Sequence, residues 1–92
     1  MIFTICTIKS ETPSKEYFFP YFDEGTTFPE DEIIINQFRC YNLNSNLQLL
    51  QVINVEIFPD YHSWIAHCNN NMELLSFVNN PDYQTKLNQI RP

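Results

Sequence analysis

Three segments within the first sixty residues show the hydrophobic pattern of strands. Residues 2–8 are rich in β-branched side chains, which predicts a first strand. The apolar run within residues 32–41 predicts a second. In residues 47–58 apolar side chains alternate with polar ones, which predicts a third strand with one buried face at the odd positions. Because the asparagine-rich residues 42–46 between the last two are typical of a hairpin loop, we expect a β-hairpin over residues 32–58.

Helical spacing replaces this pattern after Pro59. Asp60 is a good N-cap, and the apolar stripe that follows it consists of Tyr61, Trp64, Ile65 and Cys68. A second helix is predicted from a capping box of Asn70 and Glu73, with buried positions Met72, Leu75 and Val78. A third is predicted to begin at Asn80-Pro81 and to bury Tyr83, Leu87 and Ile90.

Residues 10–31 fit neither pattern. Pro13, Pro20 and Pro29 exclude a long helix, so we expect an irregular segment with one or two helical turns over residues 14–19. The segment is also unusually aromatic, with Tyr17, Phe18, Phe19, Tyr21, Phe22 and Phe28. Such a segment must cover apolar surface, either of the protein's own sheet or of a partner.

These elements predict a single α+β domain over residues 1–92. The expected core is a small antiparallel sheet, made of the hairpin and the N-terminal strand and covered on one face by the C-terminal helices. A chain of 92 residues is too short for a second domain. Because three strands leave open edges and aromatic surface, we also expect a homodimer.

The number and distribution of charged residues exclude some classes of binding partner. The net charge is −6, and residues 11–32 hold seven acidic residues against one lysine, so that the rest of the chain is neutral. Five scattered basic residues cannot supply the phosphate contacts on which nucleic-acid affinity depends, and they disfavour binding to anionic membranes for the same reason. No nucleic-acid or membrane partner is therefore expected.

The cysteines and the N-terminus indicate a reducing compartment. Cys6, Cys40 and Cys68 form neither a CxxC pair nor a disulfide framework, and we expect buried, unreactive thiols. Residues 2–8 lack the basic start of a signal peptide, and no stretch approaches the roughly 18 apolar residues that span a bilayer. These features predict a cytoplasmic protein.

One stretch resembles a known family. Residues 52–67, which read VINVEIFPDYHSWIAH, together with Asn80-Pro81-Asp82-Tyr83, are similar to the antibiotic-biosynthesis monooxygenase-like family of the dimeric α+β barrel superfamily. The resemblance implies a partly ferredoxin-like fold, paired subunits and a pocket for a small aromatic or hydrophobic compound. Haem-degrading members carry an asparagine on the first strand. Residues 2–8 contain none, so no cofactor is expected.

Within that stretch, His67 is the candidate catalytic residue, as a general base at a pocket mouth. Phe58, Tyr61 and Trp64 are the candidate ligand-binding residues, although we expect Trp64 to be buried in the core and to hold the first C-terminal helix on the sheet. His62 and His67 are five apart on a predicted helix and therefore diverge, so no shared metal site is expected.

Two functions remain open. The first is a homodimeric α+β protein that binds or transforms a small aromatic or hydrophobic compound without a cofactor. The second is a non-enzymatic interaction protein, for instance a phage or mobile-element inhibitor of a host complex. In that case the acidic side chains that dock on a basic protein partner would be Asp23, Glu24, Glu30, Asp31 and Glu32.

Overall fold

A computed structural model describes residues 1–42 and 47–90, in which strands and helices follow the order ββαβααα. The strands are β1 (Ile2–Glu11), β2 (Ser14–Asp23) and β3 (Gln51–Phe58). The helices are α1 (Asp31–Tyr41), α2 (Tyr61–Asn69), α3 (Met72–Val78) and α4 (Pro81–Ile90). The sheet is antiparallel with the order β2-β1-β3, and helices pack against it. The predicted α+β class, with a small antiparallel sheet, is confirmed.

The hairpin of this fold lies at the N-terminus. β1 and β2 pair from Ile2 with Asp23 to Glu11 with Ser14, and Thr12-Pro13, with a cis peptide bond, joins them. The prediction of an irregular segment with helical turns at residues 14–19 is wrong. Prolines exclude a helix there but not an edge strand, because a residue at the outer edge has no strand partner to which it must donate.

The predicted strand at residues 32–41 is also wrong, because this segment forms α1. Asp31 and Glu32 lie in the first turn and Arg39 in the last, which matches the helix dipole at both ends. Ile34 and Phe38, four residues apart, are the buried side chains of the helix. The expected hairpin over residues 32–58 therefore does not form, and residues 43–46 of its predicted loop lie outside the described residues.

The strand predicted at residues 47–58 is shorter, begins at Gln51 and pairs with β1. The buried positions also differ from the predicted odd-numbered face. Thr7 pairs with Asn54 and Ile8 with Val52, so Ile53 is an extra residue in a β-bulge that changes the phase of the alternation. Val52, Val55 and Phe58 are half-buried, whereas Ile53 is 44% and Ile57 70% exposed.

Helices cover both faces of the sheet. On one face Phe3 lies between Phe22 and Phe58, and the rings of Phe3 and Phe22 contact Trp64 of α2. On the other face Cys6 lies between Phe19 and Val55, and Phe19 contacts Phe38 of α1. The C-terminal helix α2 thus covers one face, as predicted, and α1 covers the opposite one. Four aromatic residues of β2, Tyr17, Phe19, Tyr21 and Phe22, are accordingly part of the protein's own core, whereas Phe18 is 40% exposed.

Local capping signals located the C-terminal helices well. Asp60 accepts a 2.8 Å bond from the Ser63 backbone N–H, and Asn80 accepts bonds from the first turn of α4, as predicted. The cap of α3 is Asn71 instead of Asn70, which rotates the buried face. The buried residues of α3 are Leu74, Phe77 and Val78. Met72, predicted to be buried, is 88% exposed.

The two edges of the sheet differ. At the β2 edge the Phe18 backbone N–H donates a 3.0 Å bond to Glu73 Oε1, and the carbonyl oxygen of Pro20 accepts a bond from the Tyr83 hydroxyl. Side chains of α3 and α4 thus bond to two of the outward backbone groups of that edge. Of the described residues, none forms a backbone hydrogen bond with the outer side of β3, whose only strand partner is β1.

Candidate functional site

Trp64, a predicted ligand-binding residue, is a core residue. Its side chain is 0% exposed, and its Nε1–H donates a 2.9 Å hydrogen bond to the carbonyl oxygen of Thr4. Its ring contacts Phe3 and Phe22 from the sheet. Because the indole is enclosed by the protein's own aromatic rings, it anchors α2 and has no free surface to offer a ligand.

His67 lies in a cleft between the sheet and α2, here called the sheet–α2 cleft. This cleft has a volume of about 180 Å³, and its polar lining is Thr7, Asn54, Glu56, His67 and Asn71. An imidazole, a carboxylate and two amides that line one cleft can hydrogen-bond a small polar molecule. The predicted catalytic residue is therefore in a cleft, although that cleft is polar and smaller than the roughly 300–1,000 Å³ of most ligand pockets.

Phe58 and Tyr61 are both half-buried and are held by ring contacts. Phe58 lies 5.1 Å from the His67 ring, and Tyr61 lies 5.9 Å from Phe3. Neither belongs to the described residues that line the sheet–α2 cleft. Phe58 thus supports His67 from the side, and Tyr61 extends the core around Trp64.

A second cleft, between β2, α1 and α4, has a volume of about 210 Å³ and is called the α1–α4 cleft. Its aromatic walls include Phe22, Tyr41 and Tyr83. The Lys86 ammonium lies 5.8 Å from the centre of the Tyr41 ring and 3.4 Å from Gln37 Oε1. Sequence reasoning missed this cleft. The helical spacing of Tyr83 and Lys86 was its one signal, and it gave no indication that α1 would lie opposite.

The hydroxyl of Tyr83 does not act as an acid or base in the α1–α4 cleft. Burial raises the pKa of Tyr83 well above its usual value, and the hydroxyl already donates to the carbonyl oxygen of Pro20. Tyr21 lines the same cleft, and burial next to the Asp23 carboxylate raises its pKa to about 12. The cleft therefore offers aromatic surface, the Lys86 ammonium and the carboxylates of Asp23 and Glu24.

The acidic segment, defined as Asp23 to Glu32, runs from the end of β2 into the first turn of α1. Asp23 accepts hydrogen bonds from the Gly25 backbone N–H at 3.3 Å and from the Tyr21 hydroxyl at 3.5 Å. The other four carboxylates, of Glu24, Glu30, Asp31 and Glu32, are exposed and have no side-chain partner among the described residues. The segment thus presents four unpaired negative charges to solvent.

Two of the three cysteines, Cys6 and Cys68, are buried, as predicted. Burial raises the pKa of Cys6 to about 11 and that of Cys68 to about 12, so neither forms a thiolate near neutral pH. Cys40 was predicted to be buried on a strand. It is exposed, because it lies on the outer side of α1.

Neither a metal centre nor a membrane span is found in the described part of the chain. Residues 1–42 and 47–90 contain no group of three or more metal-ligating side chains. Within the same ranges, every helix is too short or too polar to cross a bilayer.

Comparison with known proteins adds no assignment. No protein-family model matches the chain, and neither a curated protein nor a solved structure matches it. The similarity of residues 52–67 and 80–83 to the monooxygenase-like family accordingly stays an expectation from the sequence.

Proposed function

We propose that this protein is a non-enzymatic interaction module that docks its acidic segment on a basic protein partner. One observation carries the proposal: the carboxylates of Glu24, Glu30, Asp31 and Glu32 are exposed within nine consecutive residues and have no side-chain partner among the described residues. Such a patch attracts a basic surface over about a Debye length and accelerates association.

The described basic side chains do not neutralise this patch. Arg39 donates to the carbonyl oxygen of Leu47, Lys86 donates to Gln37, and Lys15 lies over the Tyr17 ring. Since the net charge of −6 arises from residues 11–32, a complementary cationic surface would meet a locally uncompensated field.

The packing of the interior also favours an interaction module over a binder of small molecules. The space between sheet and helices is filled by side chains such as Trp64, Phe19 and Phe38, which are almost fully buried. The sheet–α2 and α1–α4 clefts, at about 180 and 210 Å³, are small surface clefts outside this packed core. Compounds of drug size need larger pockets.

The test compares two triple variants that change the net charge equally. One neutralises the acidic segment (Glu24→Gln, Glu30→Gln, Glu32→Gln). The control neutralises exposed carboxylates elsewhere (Glu11→Gln, Glu16→Gln, Asp82→Asn). Partners are captured from a cell extract on the immobilised wild-type protein, identified by mass spectrometry and purified, and their association rates with each variant are measured at low and high salt.

We expect basic partners whose association rate falls at least tenfold for the acidic-segment variant and by less than twofold for the control, with the difference vanishing at high salt. Circular dichroism checks that both variants fold. Partners of neutral or acidic character, or equal losses in both variants, would overturn the proposal.

A second candidate function, binding of a small aromatic compound, is favoured by the α1–α4 cleft. Five aromatic residues line this cleft together with the Lys86 ammonium and the carboxylates of Asp23 and Glu24, so it suits an aromatic compound that carries both an amine and an acid. Amide chemical shifts during titration with phenylalanine would move around Tyr41 and Lys86, and Tyr41→Ala would abolish them. Shifts clustered at His67 instead would assign binding to the sheet–α2 cleft.

We also propose that the protein forms a homodimer. The open edge of β3 and the exposed side chains of Ile53 and Ile57 support it. Pairing at this edge does not involve the acidic segment.

A further inference from the structure

The outer edge of β3 combines free backbone groups with exposed apolar side chains. The register of the sheet determines which residues present these groups. At the β2 edge the outward-facing groups belong to Phe18 and Pro20, so the residues of β1 paired with them, Thr7 and Ile5, bond to β3 instead. Their partners in β3 are Asn54 and Glu56. The N–H and C=O groups of Val55 and Ile57 therefore point to the open edge.

The side chains along this edge read the same in both directions. Residues 53–57 are Ile-Asn-Val-Glu-Ile, an order of apolar and polar residues that is symmetric about Val55. Two identical strands related by a two-fold axis run antiparallel, so a symmetric pattern places like residues opposite each other. This symmetry indicates a second copy as the occupant of the edge.

We propose that two copies of this chain pair through their β3 strands, antiparallel, about a two-fold axis at Val55. Val55 of one copy then lies opposite Val55 of the other, and their outward N–H and C=O groups form a reciprocal pair of hydrogen bonds. The two sheets join into one of six strands, in the order β2-β1-β3-β3-β1-β2. The unpaired backbone groups of the open edge are satisfied.

The side-chain pairs of this register are complementary. Ile57, 70% exposed in the single chain, comes next to the bulge residue Ile53 of the second copy, which is 44% exposed. Asn54 lies opposite Glu56, so that an amide can donate to a carboxylate twice in the interface. The largest exposed apolar side chains of the strand and its only charge thereby receive partners.

Neighbouring registers lack this complementarity. An axis at Glu56 would place the two Glu56 carboxylates side by side, which is unfavourable for like charges directly opposite each other. An axis at Asn54 would place Val52 against Glu56. Because the bulge at Ile53 ends the regular part of the strand, the regular ladder around Val55 is short, and we expect a dimer of micromolar stability typical of a small interface.

The first test measures the mass of the full-length protein by sedimentation from micromolar to submillimolar concentration. The wild-type mass should rise from 11.0 kDa to twice that value. Ile57→Lys introduces a charge next to Ile53 and should weaken the dimer at least tenfold. Met72→Lys makes the same charge change on α3 and should leave the dimer unchanged, since Met72 is 88% exposed and lies off the sheet.

Melting curves confirm that both lysine variants are folded. A wild-type protein that stays at 11.0 kDa throughout, or an Ile57→Lys variant that dimerises like the wild type, would overturn the proposal.

The second test reads the register by disulfide formation in a Cys40→Ser background, which removes the exposed native thiol. Opposite residues of a hydrogen-bonded pair have Cα atoms about 5.5 Å apart, within disulfide range. Val55→Cys should thus form a covalent dimer on mild oxidation. Ile57→Cys should not, because the two copies of residue 57 lie about 13 Å apart along the strands.

Efficient cross-linking at residue 57, or none at residue 55, would refute the register. The acidic-segment variant described above should dimerise like the wild type, so a failure of partner docking and a failure of dimerisation are separate results.

Discussion

The indole Nε1–H of Trp64 donates a 2.9 Å hydrogen bond to the backbone carbonyl oxygen of Thr4, and so joins α2 directly to the central strand. Thr4 itself is buried, and its hydroxyl donates to the carbonyl oxygen of Tyr21 in β2. Thr4 of β1 is thus hydrogen-bonded both to α2 and to β2. A fully buried indole N–H needs a hydrogen-bond acceptor of this kind.

Trp64→Ala should lower the free energy of unfolding by about 3–5 kcal/mol, because it leaves a large cavity between α2 and the sheet. That is close to the whole stability of many small domains. Trp64→Phe keeps most of the apolar volume and should cost less. The urea midpoint measures both losses. Met72→Ala, at an exposed position, is the control and should leave it unchanged.

Tyr83→Phe should lower the free energy of unfolding by about 1–3 kcal/mol, because it removes the donor to the Pro20 carbonyl oxygen at the β2 edge. Tyr61→Phe is the matched control, since the Tyr61 hydroxyl has no hydrogen bond among the described residues. Urea denaturation of the two variants compares them directly. Equal midpoints would contradict a structural role for the Tyr83 hydroxyl.

Leu49→Asn should stabilise the protein by about 0.5–1 kcal/mol. Leu49 has a φ of 55°, in the left-handed region, and its side chain is exposed, so little burial is lost. Asparagine adopts this region with less steric cost than leucine. Thermal unfolding measures the gain. The neighbouring half-buried Leu50 provides the contrast, since Leu50→Asn should destabilise the protein.

Stability should fall above about pH 9. The pKa of Cys6 is raised from 9.0 to about 11 and that of Cys68 to about 12, so the folded state keeps both protons where the unfolded state releases them. The stabilisation is complete below pH 9 and is lost as the pH rises toward the folded-state values. The expected slope is about 1.4 kcal/mol per pH unit for each thiol.

Urea midpoints across this pH range measure the slope, and the double variant Cys6→Ala, Cys68→Ala should show a shallower one. The residual slope should come from Tyr21 and Tyr83, whose pKa values are also raised by burial. An unchanged slope in the double variant would show that the thiols are not its source.

The C-terminal helices could be predicted because their signals are local. Caps such as Asp60 and Asn80 act within three residues, and the periodicity of the following turns agrees with them. The segment that forms α1 carries conflicting signals. Its three isoleucines favour a strand, whereas Asp31, Glu32 and Arg39 are placed as helix ends require, and the second signal prevailed.

The remaining errors concern relationships between distant parts of the chain. Pro20 is compatible with a strand only because that strand lies at an edge, which the sequence does not state. His67 was expected at a helix end on the surface or at a pocket mouth, and it lines the sheet–α2 cleft. The α1–α4 cleft was not predicted, because it requires α1 and α4 to meet. Trp64 was correctly expected on the apolar stripe, and its burial removes it from the candidate ligand site.

Glu73 and Tyr83 bond to two outward backbone groups of β2, whereas the described residues leave the outer side of β3 without a backbone partner. A protein with two open edges can add strands at both sides and polymerise into a fibre. If the β2 edge is blocked in this way, pairing through β3 uses the remaining edge of each copy, and association stops at the dimer. The same side chains should therefore protect a concentrated solution from aggregation, and Glu73→Ala, which exposes the Phe18 N–H, is the substitution that would reopen the route to higher oligomers.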